Sequence, residues 1–84
     1  MRDVALELES ETKKWFERLK TKMKDVRARN DKGDEFIRNI EAYISDTMHF
    51  LSTGDLVRAF ECVVWAWAWL EIGLELGLLE YRGQ

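Results

Sequence analysis

Asp46 and His49 stand three residues apart, a spacing that puts a carboxylate and an imidazole on one face of a helix. Such a pair supplies half of a metal site, which a two-fold dimer could complete. No Glu-x-x-His pair accompanies it, and a single Asp-x-x-His is common by chance. The simpler expectation is that His49 is a partly exposed residue near a hairpin end and that no metal is bound. Glu61, Glu71 and Glu75 are interrupted by tryptophans. If buried, one of these carboxylates would have a raised pKa and could serve as an acid or a base. Glu71 and Glu75 are equally the ordinary i, i+4 solvent stripe of a helix, and a structural or solvating role is the expectation. Arg58 lies one turn before Glu61 and can pair with it or with Asp55. Cys62 is the one cysteine, so a disulfide within the chain is excluded, and one Cys with one His excludes a zinc cluster. In its apolar run Cys62 reads as a small buried hydrophobe. No nucleophile–base pair, phosphate-binding loop or metal cluster can be assembled. The sequence therefore assigns no catalytic residue, no metal ligand and no cofactor, and points away from an enzyme.

A second chemistry lies in the bases. Residues 13–29 hold Lys13, Lys14, Arg18, Lys20, Lys22, Lys24, Arg27 and Arg29 against only Glu17 and Asp25. The whole chain has a net charge of −3, so this is a basic element on an acidic body. Lys13, Lys20, Lys24 and Arg27 are the candidates for phosphate contact with nucleic acid. No recognised motif, Gly-rich loop or exposed aromatic beside the bases supports that use. The plainer expectation is that Lys and Arg stems cover apolar surface while their heads stay in water. A partner protein with an acidic face would fit as well.

The elements that must position these residues are helices. The chain has 84 residues, no proline, and 46% apolar against 35% charged residues, which is one small globular domain spanning 1–84. Such a chain hides only about 60–65% of its unfolded surface, so packing partners matter. Two breaks interrupt the helical pattern. Asn30 to Asp34 reads as a loop with Gly33 free to take positive φ, and Ser52 to Asp55 as a tighter turn. Gly54 would close the preceding helix and Asp55 would cap the next. The expected helices span about 3–29, 35–52 and 56–80. In the first, Val4, Leu8, Trp15, Phe16, Leu19, Met23 and Val26 recur every three or four residues, with Thr12 filling a gap. The expected fold is all-α, an up-down-up three-helix bundle with a long first helix of some 40 Å against roughly 27 Å for the second. Gly77 has two structural uses, close helix approach together with Gly73 or termination of the third helix.

The third helix is too apolar for one face. Its primary seam takes Leu56, Phe60, Val63, Trp67, Leu70, Leu74 and Leu78, which leaves Val64, Trp65, Ala68, Trp69, Ile72, Leu76 and Leu79 outside. No charge falls between Glu61 and Glu71. Either this helix is the central element, wrapped by the other two, or part of its Trp65/Trp69 side faces another chain. Trp65, Trp69, Ile72 and Leu76 are the candidate interface, with a homodimer as the commonest solution. An unidentified protein partner is the further possibility.

The longest uncharged apolar run, Cys62 to Leu70, is too short for a bilayer, and the N-terminal MRDVALELES has acids where a signal peptide needs an apolar core. A cytoplasmic chain is expected. Two Asn, one Gln and one Cys beside many Glu and Lys lean toward a thermophile.

The run from Asp46 to Gly77 carries a resemblance. Asp46, Phe50, Leu51, Gly54, Asp55, Ala59, Phe60, Trp65, Ala66, Trp69, Leu70, Glu71, Gly73 and Gly77 follow one another as in the archaeal domain of unknown function 357. The chain resembles that family over about 40–77 and, in the first helix, by length and pattern. It departs where members often have Tyr, Gly and Asp and this chain has Trp65, Ala68 and Glu71. The resemblance implies a small archaeal helical bundle and no established activity. A looser similarity reaches helical nucleotide-binding domains of toxin–antitoxin and defence systems. Their nuclease members place a His shortly after an Arg, whereas the positions after Arg58 hold Val63, Val64 and Trp65.

Overall fold

Asp3 opens the first helix, its carboxylate accepting from the Leu6 amide at 3.1 Å. A computed structural model of the protein describes residues 3–83. Among them, three helices and two short strands follow in the order α1 (Val4–Met23), β1 (Val26–Ala28), α2 (Asp31–Thr53), α3 (Leu56–Glu75) and β2 (Leu79–Tyr81). The fold is an all-α, up-down-up three-helix bundle with a two-stranded antiparallel ladder at one end, in the register Val26↔Tyr81, Arg27↔Glu80 and Ala28↔Leu79.

The first helix is shorter than its composition suggests. It stops at Met23 rather than 29, and α2, with 23 residues, is the longest of the three. Helix propensity loses here to tertiary pairing. Val26 and Leu79 are buried to 4% and 2% exposure, and the ladder lays both over the open end of the core. The Arg29 amide donates to the Leu78 carbonyl at 2.9 Å and the Arg82 amide to that of Asp25 at 2.8 Å, extending the pairing on both sides. Residues 24–29 so become the reversal between α1 and α2.

Residues 31–34, expected in a loop, form the first turn of α2. The Asn30 side chain caps that turn by accepting from the Gly33 amide at 2.9 Å, and Asp31 and Asp34 add negative charge at the positive end of the helix. Gly33 is not in the left-handed region; among the described residues only Gly54 and Gly77 are, at φ 78° and 74°. Its importance is proximity, because a Cβ at this position would run into the Leu78 carbonyl oxygen.

Helix ends follow the expected chemistry elsewhere. After Gly54, the Asp55 amide reaches back to the Phe50 carbonyl at 2.9 Å. After Gly77, the Leu78 amide reaches the Gly73 carbonyl at 2.9 Å, so α3 ends at Glu75 and not at 80. Asp55 caps α3 through the Arg58 amide at 3.1 Å and also takes the Arg58 guanidinium at 2.7 Å, in preference to Glu61. The hydrogen bond from Arg58 holds the Asp55 carboxyl below the usual carboxylate range. A carboxyl lowered on folding adds stability above its unfolded pKa, and that contribution is lost as pH falls through the folded value. Asp55→Asn keeps a capping oxygen and removes the charge. Its melting temperature should therefore depend less on pH on the acid side than the wild type does, as thermal melts across that range would show.

The core is built from Phe16, Leu19, Val26, Phe36, Ile40, Val63, Ala66, Leu70 and Leu79. Helix α3 lies between the others, antiparallel to α2 and parallel to α1. Its buried seam is Ala59, Val63, Ala66, Leu70 and Gly73, in which the small residues recur every seven positions. That row leaves room for close neighbours; a Cβ on Gly73 would sit 2.6 Å from the Leu79 side chain and 3.1 Å from the Phe36 ring. The seam is turned away from the expected one, and Phe60 and Trp67 lie on its α1 edge. Thr12 and Thr47 are fully buried, and each hydroxyl donates to the carbonyl one turn back, Leu8 and Tyr43, at 2.7 Å.

Candidate functional site

The outer side of α3 is its least covered side among the described residues, bordered on the α2 flank by a shallow cleft where Trp65 stands beside Tyr43 and Phe50. At 100° per residue, Trp65, Ile72 and Leu76 point within about 40° of one direction. They are 55%, 47% and 66% exposed, and Val57 and Val64 widen the stripe. Arg58 and Glu61 bound it near the start of the helix and Glu75 near its end. Of the four residues expected at an interface, Trp65, Ile72 and Leu76 share this face. Trp69 does not stand free on it: its ring meets Phe36 edge-on at 4.8 Å and it packs against the core. Trp69 stands four positions after Trp65, rotated by about 40° to the side where Phe36 of α2 receives its ring.

Of the expected phosphate contacts, Lys20 and Lys24 line one groove, and Lys13 and Arg27 are engaged locally. Lys13 pairs with Glu9 at 3.3 Å, and Lys20 pairs with Glu17 at 3.0 Å while lying over the Phe16 ring at 4.6 Å. Lys24 lines a groove with Lys20, Met23, Ile37, Glu41, Ile44 and Met48. Arg27 belongs to β1, where its guanidinium donates to the carbonyls of Lys24 and Val26, both at 2.9 Å. The opposite flank of α1 holds what the sequence did not suggest, exposed aromatics beside bases. Arg18 lies 4.7 Å from the Trp15 ring and Lys22 5.0 Å from that of Tyr81. Tyr81 reaches that flank only because β2 folds back beside α1, a pairing without local signal.

Asp46 and His49 are both exposed on α2, with His49 edge-on to Phe50 at 5.3 Å. No three His, Cys, Asp or Glu side chains among the described residues could jointly hold a metal ion. Glu61, Glu71 and Glu75 are all exposed. Cys62 is half-buried, and burial, aided by the negative charges of Asp46 and Glu61, pushes its thiol up from the usual range. Less thiolate at neutral pH means slower alkylation. Iodoacetamide should label Cys62 in the folded protein several-fold more slowly than in urea, at the same pH. No helix among the described residues is long and apolar enough to cross a membrane.

A central apolar helix, flanked by two amphipathic ones and latched at its end by a strand pair, defines a small helical bundle with a bare third face. The family model described as protein of unknown function (DUF357) matches residues 14–79, and the chain belongs to that family. The match takes in most of α1 as well as the Asp46–Gly77 run. A crystal structure of a protein from Archaeoglobus fulgidus, placed under the same family model, is similar at a TM-score of 0.88 and 56% identity, covering 95% of this chain and 100% of that one. A comparison with curated proteins finds no match. The family has no known catalytic activity.

Proposed function

We propose that this chain is a non-enzymatic assembly module that pairs with a second copy of itself through the outer face of α3. The observation that carries the reading is the stripe of Trp65, Ile72 and Leu76, all about half exposed or more. A tryptophan left in water on an otherwise apolar face is what an interface uses as its anchor. The charges favour a like partner. Arg58 and Glu75 sit toward opposite ends of the face, so an antiparallel two-fold pairing sets Arg58 against the partner's Glu75. The same register lays Trp65 over the small Ala68 of the partner. Light scattering across a size-exclusion peak tests it, with a mass of twice 10.0 kDa expected.

Nucleic-acid binding along α1 is the second reading, and the aromatics favour it. Trp15 and Tyr81 are 40% and 44% exposed beside Arg18 and Lys22, as single-stranded nucleic-acid platforms require. Co-eluting absorbance at 260 nm, lost in high salt, would support it over self-association alone.

A further inference from the structure

A cleft of about 300 Å³ opens between α1 and α3, on the α1 side of the bare face and apart from its centre. Its walls are Trp15, Phe60, Val63, Val64, Trp67 and Glu71. The two indoles stand 5.9 Å apart at 88°, which gives the cleft two aromatic walls at right angles. Both indole N–H groups are already used. That of Trp67 donates to the Trp15 carbonyl at 3.1 Å, and that of Trp15 to the Glu11 carboxylate at 3.2 Å. What the rings still offer a ligand is π surface and not a donor.

The charge in the cleft is a carboxylate without a counter-charge. No ion pair or hydrogen bond engages Glu71 among the described residues, and no cation lines the cleft. The rings themselves attract cations. Arg18 lies over Trp15 at 4.7 Å and Lys22 over Trp67 at 5.9 Å, both from outside the cleft lining. Perpendicular tryptophans, a third aromatic ring and one carboxylate are the elements that recognise an alkylated ammonium group, whose diffuse charge is weakly hydrated and whose methyl groups pack on π faces. An anion would meet Glu71, and a neutral apolar molecule would leave its carboxylate unused. The volume is at the small end of ligand pockets, suited to a head group rather than a large molecule.

We propose that this cleft binds a small molecule carrying a quaternary or alkylated ammonium group. The test follows the indole N–H signals of Trp15 and Trp67 by NMR during titration with choline. Its neutral isostere, 3,3-dimethyl-1-butanol, is titrated in parallel. Saturable shifts of both signals with choline are expected, with the isostere about tenfold weaker or worse, the factor that a desolvated cation–π contact supplies. Glu71→Gln should weaken choline several-fold and leave the isostere unchanged. Phe60→Leu should weaken choline while keeping the fold, since both positions are exposed. Equal binding of the two compounds would overturn the proposal by showing a merely apolar cleft. Absence of any shift would overturn it directly. Binding of a trimethyllysine peptide without binding of choline would overturn the assignment to a small molecule.

Discussion

If the outer face of α3 pairs two copies, Trp65→Ala with Leu76→Ala is expected to give a 10.0 kDa monomer that keeps the helicity of the wild type. The two halves of this result have separate causes. In the free chain both side chains are more than half exposed, so truncating them removes little buried surface. In a two-fold dimer each substitution acts twice. One hot-spot tryptophan contributes about 2 kcal/mol or more, so loss of the symmetric pair weakens association by about a thousandfold. Trp69→Ala is the informative contrast. That indole lies against Phe36 and the core, so its removal lowers the melting temperature whatever the oligomeric state. Light scattering and thermal melts on the same samples separate these effects. A wild-type mass of one chain, or a double variant that keeps the dimer mass, would sink the self-association reading.

Gly33→Ala destabilises the fold by about 2–3 kcal/mol, or about 10–20 °C in melting temperature for a domain of this size. The direction is opposite to the usual one, since alanine in a helix is ordinarily better than glycine by about 0.5–1 kcal/mol. Here the new methyl group meets the Leu78 carbonyl oxygen, a backbone atom that already accepts from the Arg29 amide. It also presses on the Ala28 methyl at 3.2 Å. Neither neighbour can rotate away, so the ladder or the first turn of α2 must move. Gly54→Ala costs about 1 kcal/mol by another route, because its φ is 78° but the space around it is open. Chemical denaturation of both variants would show the order. A Gly33→Ala chain as stable as wild type would mean the ladder is not held against α2.

The three helices could be read from periodicity because their apolar positions recur every three or four residues and their caps are chemically explicit. Asp55 and Gly54 announce the turn between α2 and α3, and both act there as their chemistry demands. The ladder could not be read. Val26-Arg27-Ala28 and Leu79-Glu80-Tyr81 are each too short to show alternation, and each looks like the continuation of a helix. Only their meeting, across the whole length of α2 and α3, makes them strands. The seam of α3 was displaced for a related reason. Ala59, Ala66 and Gly73 contribute little to a hydrophobic pattern, yet they mark where another helix comes nearest. Large residues beside them, Phe60 and Trp67, looked like the seam and form its edge instead. Of the candidate face, Trp65, Ile72 and Leu76 followed from the excess of apolar residues in α3. The Trp15–Trp67 cleft needed the parallel packing of α1 on α3, which no local spacing encodes.

The ladder also sets an order of events. During synthesis β1 emerges before any of α2 and α3, and β2 only after both. The α2–α3 hairpin can close early through its short turn, while Val26 and Phe36 wait with one end of the core uncovered. The last bond of the fold spans a loop containing two helices, and its closure is slower and entropically dearer than any contact within the hairpin. The open end of the core is thus covered by a contact of long sequence separation, with residues 79–81 acting as its clasp.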